Sequence, residues 1–400
     1  MRTKAPYARL GAIFYIFLLC AVCEGAQAGD YAQTQAAASI AASLDDNALS
    51  AQLLLAGIDG RGSLTAAMRS LLEKTPAGGI MLFRYNLDSP KEDVKKLLSE
   101  SSGLIAQKTG IPPFVAVDHE GGLVNRFNSD VEKLPSAFSF WELAEKEGRD
   151  EALARAESLY SRSAKEIREL GINMVFGPVA EILNDDNKQF LETRSYGNDT
   201  DFTIAAASAY IKSIEQEGIA SVVKHFPGNS AADPHTGASS LTAGKAALDE
   251  MVKPFMAIIG SLAPPAIMIS HAVVPAIDSK NSSLSQAVID LWLRGELGFT
   301  GIVIADDFSM GAVAAAGISP ARAAVEALNA GVDMIMAWPK DLAAIHEAIL
   351  EALLSGQLKR ERLLEAAERV ISTKLRYRML DSFSTLQPSS SLNLSVSIFM

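Results

Sequence analysis

Asp233 and His235 stand two residues apart in the segment KHFPGNSAADPHTG, which runs from Lys224 to Gly237. A carboxylate beside an imidazole can orient the ring and stabilise its protonated form, so this pair suits proton transfer near neutral pH. The surrounding turn-forming and small residues indicate a loop. An exposed turn with incidental polar side chains is the alternative, and the segment alone does not separate the two readings.

Other residues that could act in catalysis or binding follow short apolar runs, which are typical of strands. Only five histidines occur in the chain, and four of them stand at or just beyond such runs: His119, His225, His235 and His271. Only His346 falls within a helical pattern. Asp118 and Asp306 also end apolar runs, and we assign to the adjacent Asp307 the lesser role of capping the following helix.

The segment VDHEGGLVNRF contains a second group of polar residues around two glycines. In a purely structural interpretation the glycines serve only a tight turn, and Glu120 is an exposed loop charge or a partner of Arg126. One such loop by itself favours a structural role. Several loops converging on one rim favour a catalytic site, because independent surface residues have no reason to share one end of a fold.

The elements that must position these residues alternate between short β-branched runs and longer amphipathic stretches, which predicts βαβ units and a parallel sheet. Eight strand candidates begin at Leu53, Gly79, Phe114, Asn173, Ser221, Ala266, Gly301 and Asp333. We therefore predict an α/β fold, a single (β/α)8 TIM-type barrel over residues 45–377. The strand ends of such a barrel open onto one rim, where we expect His119, His225, His235, His271, Asp118 and Asp306. A doubly wound open sheet is the alternative, but no G-x-G-x-x-G turn follows the first strand.

Both ends of the chain differ from this pattern. Basic residues, an apolar run and a final AQA predict an export signal over residues 1–28, and hence a periplasmic or outer-surface location. Cys20 and Cys23, the only cysteines, lie in this segment, so lipidation and a lipid anchor are an equal alternative to simple cleavage. The Ser-rich stretch 382–400 is predicted to be a tail.

The composition excludes one class of partner. With 400 residues and 48% hydrophobic residues the chain can bury a large core, and its formal net charge is −11. Since no basic face is evident, nucleic acid is not an expected partner. We expect a monomer.

Four motifs in order, AVDHEGGLVNRF, ETRSYG, KHFPG followed by DPH, and IADDFSM, make the chain resemble glycoside hydrolase family 3. The resemblance spans Asp45 to Tyr377 and is to the β-N-acetylglucosaminidases that act on peptidoglycan fragments. It implies a retaining, two-step hydrolysis in which Asp306 is the nucleophile. It also implies that His235 is the acid/base and that Asp233 orients it.

The resemblance further implies that the enzyme uses no cofactor or metal. It also implies a set of sugar-contacting residues, namely Asp118, Arg126, Arg194, Lys224 and His225. Some positions depart from the family pattern. Leu123 replaces a common basic residue, Glu181 stands where aspartate is usual, and Pro234 separates the members of the Asp-x-His pair. The loop from Gly228 to Asp233 is also shorter than expected, which bears on substrate detail rather than on reaction class.

The expected protein is thus an exported, exo-acting β-N-acetylglucosaminidase, and three alternatives stay open. A family 3 β-glucosidase or β-xylosidase is the nearest, although these usually lack an Asp-x-His pair after KHFPG. A metal-dependent barrel hydrolase would use histidines and aspartates as Zn²⁺ ligands. A non-catalytic sugar-binding lipoprotein could use the same fold.

Overall fold

The computed structural model describes residues 32–127 and 131–380. The predicted export signal at 1–28 and the predicted tail at 382–400 lie outside the described residues. A helix over residues 32–43 precedes the predicted start of the barrel and buries Ala37 and Ala41 in the core. The predicted boundaries at 45 and 377 stay predictions.

Eight parallel strands form the centre of the molecule, and each begins within one residue of its predicted position. They are β1 (Leu54–Gly57), β2 (Gly79–Leu82), β3 (Phe114–Gly121), β4 (Met174–Val179), β5 (Ala220–Phe226), β6 (Ala266–Ile269), β7 (Ile302–Ala305) and β8 (Met334–Ala337). Neighbours in chain order pair in parallel, and β8 pairs with β1, so the sheet closes. The predicted (β/α)8 barrel is confirmed.

Helices surround the barrel and two short hairpins extend its loops. The helices span 32–43, Asp46–Gln52, Ala66–Lys74, Arg84–Leu87, Lys91–Thr109, Ala137–Glu147, Arg149–Leu170, Lys188–Leu191, Thr200–Gln216, Lys245–Met251, Lys253–Leu262, Gly311–Ala315, Pro320–Asn329, Pro339–Ser355 and Arg360–Arg376. A 3-10 turn covers Ser282–Leu284 and a π-helix covers Ala287–Glu296. The extra short strands are Val124–Asn125, which pairs with β3, and the hairpin Val273–Val274 with Asp278–Asn281.

The helix Arg149–Leu170 shows how the sequence places a helix against the sheet. Its buried positions recur at helical spacing, including Ala152, Ala156 and Tyr160, and so form one apolar face. Acidic residues in its first turn suit the positive end of the helix dipole. It ends at Gly171, whose φ of 98° lies in the left-handed region where glycine is favoured.

A buried ion cluster lies at the start of β8, at the end of the barrel where the strands begin. Asp333, directly before β8, lies 2.6 Å from Arg294, 2.7 Å from Arg362 and 3.1 Å from Arg369. Burial raises the pKa of Asp333, but the three guanidinium groups outweigh it and hold the pKa below its ordinary value. The cluster therefore holds the helix Arg360–Arg376 against the start of β8, at the end of the barrel opposite the strand C-termini, where (β/α)8 enzymes form their sites.

Candidate active site

Alternation along β3 separates two acidic side chains from the histidine between them. Asp118 and Glu120 line the cavity at the C-terminal end of the barrel. His119 instead contacts the outer helix layer, where its Nε2 lies 2.6 Å from Oγ of Ser163. The prediction that His119 opens onto the rim is therefore wrong, because successive side chains of a strand face opposite sides.

A network of buried charges links β3, β5 and the loop after β4. Nζ of Lys224 lies 2.8 Å from Oδ1 of Asp118 and 2.6 Å from Oε1 of Glu120. Arg126 donates to Asp118 at 2.9 Å. Arg194 donates to both oxygens of Glu120 at 2.8 Å. Glu120 is thus neither an exposed loop charge nor the partner of Arg126, so the purely structural interpretation of this residue is wrong.

The network keeps its members charged. Burial raises the pKa of Asp118 and Glu120, but Lys224 and the arginines outweigh it. The pKa of Asp118 falls well below its ordinary value, and that of Glu120 falls to about 2. For Lys224, burial lowers the pKa, but the two carboxylates outweigh it and raise it. Preorganised donors and acceptors of this kind can hold sugar hydroxyls in one orientation.

His225 is held by a carboxylate that the sequence indicated only as a departure from the family pattern. Its Nδ1 lies 2.7 Å from Oε1 of Glu181, and its Nε2 lies 3.4 Å from Nη2 of Arg194. Glu181 also accepts from the backbone and side-chain nitrogens of Asn229 at 2.7 and 3.0 Å. Glu181 is therefore a positioning residue that links β4 to the start of the Asp-x-His loop.

Tight turns shape the loop after β3. Gly121 and Gly122 have φ values of 91° and 53°. A Cβ at Gly121 would lie 2.3 Å from the carbonyl oxygen of Pro135, and one at Gly122 would lie 2.7 Å from Cβ of Ser136. The predicted structural role of these glycines is consistent with this crowding.

Asp233 and His235 are in direct contact on the loop after β5. Oδ1 of Asp233 lies 2.7 Å from Nδ1 of His235 and accepts from the His235 backbone amide at 2.9 Å. Both side chains are about half exposed. The loop is anchored, because Gly311 donates to the carbonyl oxygen of His235 at 3.0 Å and Ala312 donates to that of Pro234 at 2.9 Å.

Asp306 follows β7 and lines the same cavity as His235. Its neighbour Asp307 accepts from the backbone and hydroxyl of Ser309 at 2.8 and 2.7 Å, and from the indole nitrogen of Trp338. The next helix begins only after Met310. The predicted capping role of Asp307 is therefore wrong: its carboxylate closes a turn and fixes Trp338.

The remaining two histidines are structural. His271 is buried, with Nδ1 2.7 Å from Oγ of Ser283 and Nε2 3.1 Å from the carbonyl oxygen of Asp307. The expectation that His271 opens onto the rim is therefore wrong. His346, in a helix as predicted, is buried and bonded to Ser50 at 2.8 Å. Burial lowers the pKa of both rings.

A cavity of about 790 Å³ lies at the C-terminal ends of the strands. Seven of the eight residues predicted for the site line it: Asp118, Arg126, Arg194, Lys224, His225, His235 and Asp306. The eighth, Asp233, does not line the cavity but contacts Nδ1 of His235. The aromatic residues Phe83, Tyr85 and Trp338 also line the cavity and were not predicted for the site. Phe83 and Trp338 are the last residues of the predicted strands GIMLF and DMIMAW, and Tyr85 is two residues beyond, which is the signal that could have identified them.

Metal-binding clusters and membrane-spanning helices are both absent from the described residues. Across residues 32–127 and 131–380, no group of three or more His, Cys, Asp or Glu is arranged to hold a metal ion. The helices in this part of the chain are too short or too polar to cross a membrane.

The chain is similar to known carbohydrate-active proteins. A family model described as Glycosyl hydrolase family 3 N terminal domain matches residues 47–373. A β-hexosaminidase of Idiomarina loihiensis is 33% identical over 279 residues, which cover 68% of this chain and 80% of that protein. A β-hexosaminidase of Stenotrophomonas maltophilia is 31% identical over 294 residues, which cover 72% and 84%.

A solved structure resembles the whole barrel. It is a glycoside hydrolase family 3 β-N-acetylglucosaminidase from Paenibacillus, with a TM-score of 0.78 and 28% sequence identity. The similarity covers 89% of this chain and 65% of that structure.

Proposed function

This chain belongs to glycosyl hydrolase family 3 and is a β-hexosaminidase by class, and on that premise we propose its substrate and mechanism. The proposed enzyme is a retaining, exo-acting hydrolase that removes terminal β-linked N-acetylglucosamine from peptidoglycan fragments or related glycans. One observation supports it most: His235, held by Asp233, lines the same cavity as Asp306.

In the proposed first step, the carboxylate of Asp306 attacks the anomeric carbon while the bond to the leaving oxygen breaks. His235 gives its proton to that oxygen, so the aglycone departs as a neutral alcohol. A glycosyl ester on Asp306 remains. In the second step, His235 takes a proton from water, the water oxygen bonds to the anomeric carbon, and Asp306 leaves as a carboxylate.

Asp233 supports both steps electrostatically. Burial raises its pKa, but hydrogen bonds from the His235 amide and ring outweigh it, and the pKa lies below the ordinary aspartate value. The carboxylate is therefore ionised near neutral pH. An ionised partner at Nδ1 stabilises the charged imidazolium and leaves Nε2 to exchange the proton with the substrate.

The terminal sugar is proposed to lie against the wall formed by Asp118, Arg126, Arg194, Lys224 and His225. The wall presents cationic donors and carboxylate acceptors whose positions are set before the substrate arrives. Such a wall recognises a ring of hydroxyl groups and positions the anomeric carbon for Asp306. Their assigned role is positioning.

The test is a set of initial rates for residues 29–400 on aryl β-N-acetylglucosaminide and aryl β-glucoside, each with and without chelator. Cleavage confined to the N-acetyl sugar and unaffected by chelator is the expected result. Preference for the glucoside would assign the chain to another activity in the family. Loss of cleavage in chelator would favour the metal-dependent alternative, and no cleavage of either would favour a binding protein.

Export remains part of the proposal and has its own test. A chain directed by residues 1–28 should be recovered outside the cytoplasm, and radiolabelled palmitate should separate lipidation at Cys20 or Cys23 from simple cleavage. Recovery of the uncleaved chain in the cytoplasm would contradict export. A mass measured by light scattering tests the expected monomer.

A further inference from the structure

An aromatic surface occupies the part of the cavity mouth between β8 and β2. The rings of Phe83 and Trp338 stack with centroids 4.3 Å apart and planes inclined by 11°. Tyr85 continues the stack, 5.9 Å from Phe83 at the same inclination. We name Phe83, Tyr85 and Trp338 the aromatic shelf. All three line the cavity, so the shelf offers an apolar face to a bound ring.

The shelf begins beside the candidate nucleophile. The indole nitrogen of Trp338 donates to Asp307, which directly follows Asp306. The charged wall for the terminal sugar belongs to β3 and the loop after it, to the loop after β4 and to β5, and it adjoins the shelf where β3 pairs with β2. A substrate whose terminal sugar contacts that wall and whose anomeric carbon meets Asp306 can therefore extend its remaining part over the shelf.

One cation on this side of the mouth differs from the others. Among the described residues, the other cavity-lining cations each have a carboxylate within 4 Å, including Arg61, which lies 3.7 Å from Asp88. Arg84 has none within this part of the chain. Its Nη2 donates to the backbone oxygen of Asn125 at 2.9 Å. Arg84 is exposed, lines the cavity and directly joins Phe83 and Tyr85.

A guanidinium with one donor committed to a backbone carbonyl retains donors for an anion. Its planar fork matches a carboxylate better than it matches a neutral hydroxyl. The hydrogen bond to Asn125 also limits the orientations of the side chain, so less conformational entropy is lost when a ligand binds. Arg84 is therefore prepared to recognise negative charge beside an apolar ring surface.

We propose that Arg84 is a specificity-determining residue that binds a carboxylate on the leaving part of the substrate, whose ring packs on the aromatic shelf. The proposal rests on the hydrolase activity proposed above. It assigns to Arg84 the selection of β-N-acetylglucosaminides with an acidic aglycone over those with a neutral one. Arg84 takes no part in bond breaking and raises the rate for acidic aglycones over neutral ones.

The test compares 3-carboxyphenyl β-N-acetylglucosaminide with its uncharged 3-carboxamide analogue. The measured quantity is the ratio of their kcat/KM values, because a change in folded fraction cancels from it. Arg84→Gln should lower the ratio of acidic to neutral substrate about fivefold, the effect of a solvated ion pair worth about 1 kcal/mol. High salt should reduce the wild-type preference, since the pair is exposed.

Arg61→Gln is the matched control, because it removes the same charge from the same mouth at a residue already paired with Asp88. Its ratio should stay within about twofold of the wild type, in line with a weak exposed pair. An equal fall in both variants would overturn the proposal in favour of a general field at the mouth. An unchanged ratio in Arg84→Gln, or equal loss on both substrates, would also overturn it.

The hydrolase proposal fails separately from this one. If neither aryl N-acetylglucosaminide is cleaved by the wild type, the proposed activity is wrong and the inference falls with it. If both are cleaved and the wild type shows no preference for the acidic aglycone, only the role of Arg84 is wrong.

Discussion

Nδ1 of His235 lies 2.7 Å from Oδ1 of Asp233, and the same oxygen accepts the backbone amide of His235. A single carboxylate oxygen therefore holds both the ring and the chain that carries it. The two residues are neighbours in sequence, and the loop that carries them is hydrogen-bonded to a distant segment, Gly311 and Ala312 beyond β7. The dyad and Asp306 are thus anchored to one part of the rim.

The first prediction concerns the nucleophile. Asp306→Ala should lower kcat by roughly four orders of magnitude, because it removes the carboxylate that is proposed to form the glycosyl ester. Binding of N-acetylglucosamine, measured by calorimetry, should persist because the charged wall is untouched. Asp307→Asn is the control and should lose much less activity. Substantial turnover by Asp306→Ala would contradict the assignment.

The second prediction concerns the proton donor. His235→Ala should slow substrates with poor leaving groups by about 10²-fold or more and slow activated aryl glycosides much less, because activated groups need little protonation. A plot of log kcat against leaving-group pKa should steepen in the variant. Equal losses across the series would count against the acid role.

The third prediction concerns Asp233. Asp233→Asn removes the carboxylate that holds Nδ1 of His235, so kcat on substrates with poor leaving groups should fall by about tenfold or more, while activated aryl glycosides lose less. Asp233 acts through His235, and the double variant with His235→Ala should therefore be no slower than His235→Ala alone. Additive losses in the double variant would show an independent role.

The fourth prediction concerns the buried network. Glu120→Gln leaves Arg194 and Lys224 short of a carboxylate and should lower the free energy of unfolding by about 3 kcal/mol at pH 7. The lowered pKa of Glu120, about 2, sets the sign with pH. Its contribution is complete above the ordinary glutamate pKa and is lost as pH falls toward 2.

The difference between wild type and Glu120→Gln in urea unfolding should therefore narrow below about pH 4.5, near the ordinary glutamate pKa. Glu147→Gln is the control, because Glu147 forms an exposed pair with Lys146 and should matter little. A difference that does not change between pH 5 and pH 3 would contradict the charge-pairing explanation.

The fifth prediction concerns a buried lysine beneath the barrel. Nζ of Lys374 lies 3.0 Å from Oε1 of Gln52 and 5.2 Å from the centre of the Phe114 ring. Burial lowers the pKa of Lys374 to about 7. The unfolded chain keeps this proton up to about pH 10.4, so between these values the free energy of unfolding should rise with pH by about 1.4 kcal/mol per unit.

Lys374→Met lacks the titrating ammonium group, so its free energy of unfolding should not show this rise with pH. The stability of the variant relative to wild type should therefore decrease steadily from pH 7.5 to pH 9.5 in chemical denaturation. Lys146→Met, at an exposed position, is the control and should show a constant difference. Parallel stability curves for wild type and Lys374→Met would contradict the burial of an uncompensated ammonium.

The sequence by itself determined the strands and the Asp-x-His pair. Parallel strands buried on both faces appear as continuous apolar runs, so all eight were predictable within one residue. Asp233 and His235 meet because they are two residues apart on a turn, and no distant residue is needed to bring them together. The rim that gathers Asp118, Lys224 and Asp306 follows from the barrel itself.

Only the tertiary structure decided which polar residues face the cavity and which partners they find. Glu120 and Arg194 pair across 74 residues, and Trp338 reaches Asp307 from the next strand. His119 faces away from the cavity although it adjoins Asp118. These outcomes depend on the register in which the barrel closes, because a shift of one residue turns every side chain of a strand to the other face.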